Sequence, residues 1–221
     1  MGSVRFYFDF ISPYASFAWR KLPGVCAQAG VQLSLHPVPF GKLLDHWGQL
    51  GPAEIPPKRE NTWKHSARIA ASLGLKFNSP KVHPFYPLHA LRLALPEVAG
   101  DLQHQVVEAL FNAAWCDGQD MSDLNVLHNV LLKSSLPADE LIEGALTSQA
   151  KEMLAHQTQQ AIEDSVFGVP TMVVDEELFW GYDQMIHLVD YLNNQDILDT
   201  GAIRGMLERP RGIDRKAKKT V

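Results

Sequence analysis

Cysteine is scarce. The 221 residues hold two, Cys26 and Cys116, far apart and outside any C-x-x-C pair. Without two close thiols the chain has no dithiol of its own to exchange, and each cysteine is expected to pack as a small apolar side chain. The nine histidines form no H-E-x-x-H pattern and no Cys/His spacing that suits zinc, so no metal site is expected. Positive charge is in deficit. A formal net charge of −5 argues against general nucleic-acid binding. No apolar run is long enough to span a bilayer, and no membrane partner is expected. The first residues run straight into a strand pattern, without a basic flank, apolar core and small-residue cleavage site, so a cytoplasmic protein is expected. What remains is a globular composition, 46% hydrophobic and 20% charged, on a chain long enough to bury a substantial core.

The most informative stretch is F-D-F-I-S-P-Y-A at residues 8–15. Val4, Phe6, Phe8 and Phe10 alternate with Arg5, Tyr7 and Asp9, the period of a half-buried strand. Ser12-Pro13 reads as an N-cap followed by proline at the first helical position. A strand that feeds directly into a helix leaves unpaired N–H groups and a positive dipole end at a sheet rim. An anion or a thiolate can be held there. Ser12 therefore has two readings: a helix cap and nothing more, or a residue that also serves a ligand.

A helical pattern continues to about Ala29, with a kink or restart expected at Pro23-Gly24 and Gly30 as its terminator. Residues 32–38 alternate again, so the chain opens β-α-β with parallel strands. Glycine and proline make 41–57 a loop with at most a short helix near 43–47. Residues 58–167 read as nearly all helix, at 60–73, 86–95, 101–115, 122–133, 138–146 and 148–164, with Ser122-Asp123 and Thr147-Ser148 as caps. Residues 167–175 and 178–180 return to strand across an acidic turn. A helix then runs from 183 to about 192, with Met185, Leu188, Val189 and Leu192 on one face. The expected organisation is a discontinuous sheet domain at 1–57 and 165–203, a helical insert at 58–164, and a tail at 204–221. Basic residues of the tail, among them Arg209, Arg211, Arg215, Lys216, Lys218 and Lys219, favour disorder over a contact arm.

β-α-β, a helical insert, then β-β-α with G-V-P-T opening the third strand resembles a thioredoxin-like fold. That resemblance implies a cis peptide at Val169-Pro170, with Val169 facing the site. Where redox members carry C-x-x-C, this chain has Ser12-Pro13-Tyr14-Ala15. F-Y-F-D-F-I-S-P-Y-A, P-P-K at 56–58, and F-G-V-P-T with W-G-Y-D-Q resemble the kappa-class glutathione transferase family. The likeness is stronger to its bacterial branch, the 2-hydroxychromene-2-carboxylate isomerases, and it extends to about Leu192.

The resemblance implies glutathione as cofactor and a site by position. Ser12 would hydrogen-bond the sulfur. Val169, before Pro170, would pair its backbone with the cysteinyl unit. Tyr182 and Asp183 would hold the γ-glutamyl end, and Lys58 would meet the glycyl carboxylate. Gln49 and Gln184 stand where the family often has asparagine and arginine, so Gln184 keeps hydrogen bonding but loses a charge. The implied activity interconverts 2-hydroxychromene-2-carboxylate and trans-o-hydroxybenzylidenepyruvate, in naphthalene-type aromatic breakdown, with a small aromatic substrate and a homodimer. A kappa-like transferase shares every binding residue, and a non-catalytic module would bind extended peptide at the Val169-Pro170 edge. Local alternatives also stand: Asp183 as a helix N-cap, Lys58 as a solvated lysine, and Trp47, Trp63, Phe85 and Tyr86 as packing residues rather than an acceptor pocket. Arg59 and Lys42 are candidates for the substrate carboxylate.

Overall fold

The computed structural model describes residues 2–196, 198, 200–210 and 212. Its four strands run in the order β2-β1-β3-β4. β1 (Ser3–Phe8) and β2 (Gln32–Pro37) are parallel, with Val4 opposite Leu33 and Phe8 opposite Pro37. β3 (Thr171–Val174) is antiparallel to β1, with Tyr7 opposite Thr171, and β4 (Glu177–Trp180) closes the far edge. Alternation sorts the β1 side chains between two faces. Val4, Phe6 and Phe8 enter the larger core, and Tyr7 a smaller cluster with Val38, Leu43, Val166 and Val173.

α1 (Pro13–Ala29) joins the parallel strands. It ends at Gly30, in the left-handed region at φ +66°, and the Val31 N–H returns to the Cys26 carbonyl at 3.0 Å. Of the kink or restart expected at Pro23-Gly24, the restart does not occur. One helix runs through Pro23, because Trp19, Leu22 and Cys26 bury a stripe whose packing outweighs one missing main-chain bond.

The expected loop holds more helix than its glycines and prolines suggest. α2 (Phe40–Trp47) ends at Gly48, a 3-10 turn covers Pro52–Glu54, and α3 (Pro56–Ser72) starts with the proline pair. P-P-K is thus the first turn of α3, where proline is tolerated. The insert continues through α4 (Leu88–Leu93), α5 (Pro96–Ala99), α6 (Gln103–Trp115), α7 (Leu124–Lys133), α8 (Ala138–Leu146) and α9 (Ser148–Glu163). The helix expected at 86–95 stops before Pro96, which opens α5 as its first residue. Asp123 caps α7 by accepting the Asn125 N–H at 2.8 Å, and Thr147 caps α9 by accepting the Ala150 N–H at 3.1 Å. Leu91, Leu110, Phe111, Trp115 and Leu131 of these helices share one core with Val4, Phe6 and Phe8 of the sheet.

β3 starts later than the expected 167, since Pro170 has no N–H for the ladder. After β4 a 3-10 turn at Tyr182–Gln184 leads into α10 (Met185–Leu192). α11 (Thr200–Leu207) was not foreseen. It includes Arg204 of the expected tail, and none of its side chains is buried. Arg211, Arg215, Lys216, Lys218 and Lys219 lie outside the described residues. Among the described residues no helix is long and apolar enough to cross a membrane.

Candidate active site

Strand pairing brings separated stretches to one rim. Because Tyr7 pairs with Thr171, the turn before β3 lies beside the exit of β1. There Ser12 Oγ donates to the Val169 carbonyl at 3.4 Å. The same oxygen caps α1 by accepting the Ala15 N–H at 3.2 Å, and the residue is 8% exposed. The two readings of Ser12 are therefore compatible. A hydroxyl offers one proton and two lone pairs. The cap takes a lone pair, while the proton sits in a long, weak bond that a better acceptor can claim.

The Val169-Pro170 peptide is cis. Thr171 Oγ1 donates to the Gly168 carbonyl at 2.7 Å, and the Gly181 N–H donates to the Pro170 carbonyl at 2.9 Å. These bonds fix the turn and carry Tyr182 and Asp183 to the same rim. Tyr182 packs edge-on against Phe17 of α1, ring centroids 6.0 Å apart, beneath the Lys21 ammonium. Asp183 does not cap α10, which begins at Met185 without a side-chain cap. Its exposed carboxylate instead lies over Gly181, where φ is +104° and an added Cβ would stand 2.5 Å from Oδ1.

The opposite wall comes from α3. An open cleft of about 510 Å³ is lined by Tyr14, Pro52, Pro57, Lys58, Asn61 and Thr62. Tyr14 follows Ser12 by two residues, so the cleft opens next to the capped end of α1. Lys58, Asn61, Thr62 and His65 recur at helical spacing and share one face of α3. The Tyr14 hydroxyl lies 3.0 Å from His65 Nδ1. Burial pushes the Tyr14 phenol up, the Thr62 and Ser66 hydroxyls act the other way, and the Asp183 carboxylate adds to the rise.

Two expected residues stand apart. Gln184 lines a second groove with Phe179, His187 and Leu198, beside β4 and α11. Gln49 is exposed beyond α2, its N–H closing that helix on the Leu44 carbonyl at 2.9 Å, and it does not line the cleft. Phe85 is buried and Trp63 packs on His83 and Trp115, as packing residues do. Trp47 and Tyr86 are exposed. Arg59 donates to the His83 carbonyl at 3.2 Å. Of the cysteines, Cys26 is buried and its thiol is pushed up to about 11, while Cys116 is part-exposed beside the Arg20 guanidinium.

Sequence reading passed over two residues. Asp9 is 1% exposed. Its carboxylate accepts the Ile11 N–H at 3.1 Å and the Phe40 N–H at 2.8 Å, and its carbonyl accepts the Ser12 N–H at 3.1 Å. It ties the Ser12 turn to the start of α2. Burial pushes its carboxyl up to about 7, against the pull of those N–H groups. Its signal was an acid at the end of an otherwise apolar strand. His65 carried a fainter one, its seven-residue spacing from Lys58.

A serine hydroxyl at a helix N-terminus, facing a cis-proline turn on a β2-β1-β3-β4 sheet, defines a thioredoxin-type site that lacks the thiol pair. The chain belongs to the DSBA-like thioredoxin domain family, whose model matches residues 3–193. It is 29% identical over 192 residues to a protein of Sphingobium xenophagum named 2-hydroxychromene-2-carboxylate isomerase, covering 86% of this chain and 97% of that one. It is 24% identical over 205 residues to a Caenorhabditis elegans protein named glutathione S-transferase kappa 2, covering 86% and 91%. A solved structure of a 2-hydroxychromene-2-carboxylate isomerase matches the fold with a TM-score of 0.78 at 22% identity, over 93% of this chain and 99% of the other.

Proposed function

We propose that the protein is a glutathione-dependent isomerase that interconverts 2-hydroxychromene-2-carboxylate and trans-o-hydroxybenzylidenepyruvate. The observation that carries this reading is the Ser12 hydroxyl, held at the mouth of α1 with its proton in a long bond to Val169. Relatives that match most of the chain and bear the isomerase's name support it. The residues fit glutathione. Ser12 has a proton to offer a sulfur, and Val169 presents backbone at the rim. Asp183 offers an exposed carboxylate to an ammonium group beside Tyr182. Lys58 places a cation in the first turn of α3, where the helix dipole also favours a carboxylate. Gln49 and Gln184, which do not line the cleft, are left out of this set of contacts.

Held by Ser12, Val169, Tyr182, Asp183 and Lys58, glutathione would supply a thiolate for reversible nucleophilic catalysis at the substrate's conjugated carbon. The chain's task is to keep that sulfur ionised. A free thiol has a pKa of about 8.5, and lowering it by about two units takes roughly 2.7 kcal/mol. A hydrogen bond from Ser12 to a charged acceptor contributes about 1.5–3 kcal/mol. The α1 N-terminus adds roughly 0.3–1 kcal/mol. Together they supply about 1.8–4 kcal/mol, a range that contains the requirement without a base, so Ser12 stabilises the sulfur and is not itself a nucleophile.

A kappa-type transferase would use the same contacts, and the relative named for that activity keeps it in view. Turnover separates the two. With glutathione far below the chromene concentration, the isomerase makes many products per glutathione. Stoichiometric loss of glutathione into an adduct would establish the transferase instead.

A further inference from the structure

We propose that Tyr14 and His65 form a proton relay that opens the chromene ring. The inference takes its substrate from the reading above but does not depend on glutathione. Ring opening moves one proton. The hemiketal hydroxyl must lose it, and the ring oxygen must gain it as it leaves as a phenol. Thiolate addition supplies neither transfer. A hydrogen-bonded pair with one member in the cleft's lining can supply both.

Tyr14 and His65 meet that requirement by position. They come from different helices, α1 and α3, and their polar atoms lie 3.0 Å apart. Their rings tilt against each other with centroids 5.5 Å apart. Tyr14 lines the cleft two residues from Ser12. His65 stands on the α3 face that carries Lys58 and Thr62, and it is exposed enough to exchange protons with water.

The relay uses the tautomer in which His65 Nδ1–H donates to the Tyr14 oxygen. His65 Nε2 takes the hemiketal proton, and the freed electron pair forms the carbonyl. The bond from the hemiketal carbon to the ring oxygen breaks, its electron pair stays on that oxygen, and Tyr14 delivers its proton there. Tyr14 regains a proton from Nδ1. No bond or charge is left over, and exchange with solvent restores the tautomer.

The test follows the chromene relaxing to its cis ring-opened keto acid, without glutathione, in the presence of the protein. Wild type accelerates the relaxation. Tyr14→Phe and His65→Gln each reduce the enzymatic part by at least about 10²-fold, the usual worth of a positioned acid or base. His65→Gln retains a hydrogen-bond partner for Tyr14, so its loss reports the missing base. Both variants retain the ultraviolet thiolate absorbance of bound glutathione, which shows a folded and intact Ser12 end. Wild-type protein that does not accelerate opening, or variants that match wild type, would overturn the relay. Absence of thiolate absorbance from wild type would overturn the glutathione reading alone.

Discussion

One oxygen atom at Ser12 does two things. Its lone pair caps the N-terminus of α1 and its proton points at the Val169 carbonyl. Ser12→Ala is expected to cost about 1 kcal/mol of stability, the worth of a lost cap, measured as a shift in the urea midpoint. The catalytic loss should be far larger than this structural one. Asp9 gives a pH signature. Its carboxyl is raised in the folded state to about 7 from an unfolded value of 3.8. A raised acid contributes stability that is fully present below the unfolded pKa and is lost as pH rises through the folded one. The stability of wild type relative to Asp9→Asn should therefore fall between about pH 4 and pH 7. The difference removes the histidines His36, His83, His89 and His104, which burial shifts the other way. Urea unfolding of both proteins at several pH values checks it. A difference that is flat with pH would mean that Asp9 does not titrate there.

The elements that matter are the facing walls of the cleft and the turn after β4. Gly181 holds that turn at φ +104°, a conformation that costs other residues about 1–3 kcal/mol. Gly181→Ala also drives a Cβ into the Asp183 carboxylate. It should lower the thermal midpoint and weaken glutathione binding by about tenfold or more, given the worth of a charge-assisted hydrogen bond. Calorimetric titration measures the second effect. Elements were legible where a local rule sufficed: alternation in β1 and β2, caps at Asp123 and Thr147, a glycine stop at Gly30. The motifs named Ser12, Val169-Pro170 and Tyr182-Asp183, which strand pairing brings to one rim, and Lys58, which lines the cleft; their roles toward a ligand are part of the proposal. The unbroken run through Pro23 was not legible, because core packing of Trp19, Leu22 and Cys26 overrides a local breaker. Nor were Tyr14 beside His65, or Asp9 beneath Phe40. Those pairs lie 51 and 31 residues apart and exist only once α3 and α2 dock.

The whole molecule shares its core between sheet and insert. Phe111 of α6 meets Phe8 and Phe10 at ring distances of 5.6 and 4.8 Å. Phe111→Ala should cost about 3–5 kcal/mol and leave a single cooperative transition, since both halves lose the same support. Two separated transitions in calorimetry would show that the halves unfold independently. The C-terminal helix is the converse case: α11 buries no side chain. Ending the chain after Gln195 should change the thermal midpoint far less than Phe111→Ala does. In the proposed function this scaffold serves one atom, the glutathione sulfur that Ser12 would receive. The direct measurement is an ultraviolet difference spectrum as glutathione is titrated into the protein at neutral pH. A thiolate band that saturates with wild type and is missing with Ser12→Ala is the predicted result. Glutathione bound as the neutral thiol in wild type, or a band of equal size in Ser12→Ala, would contradict it.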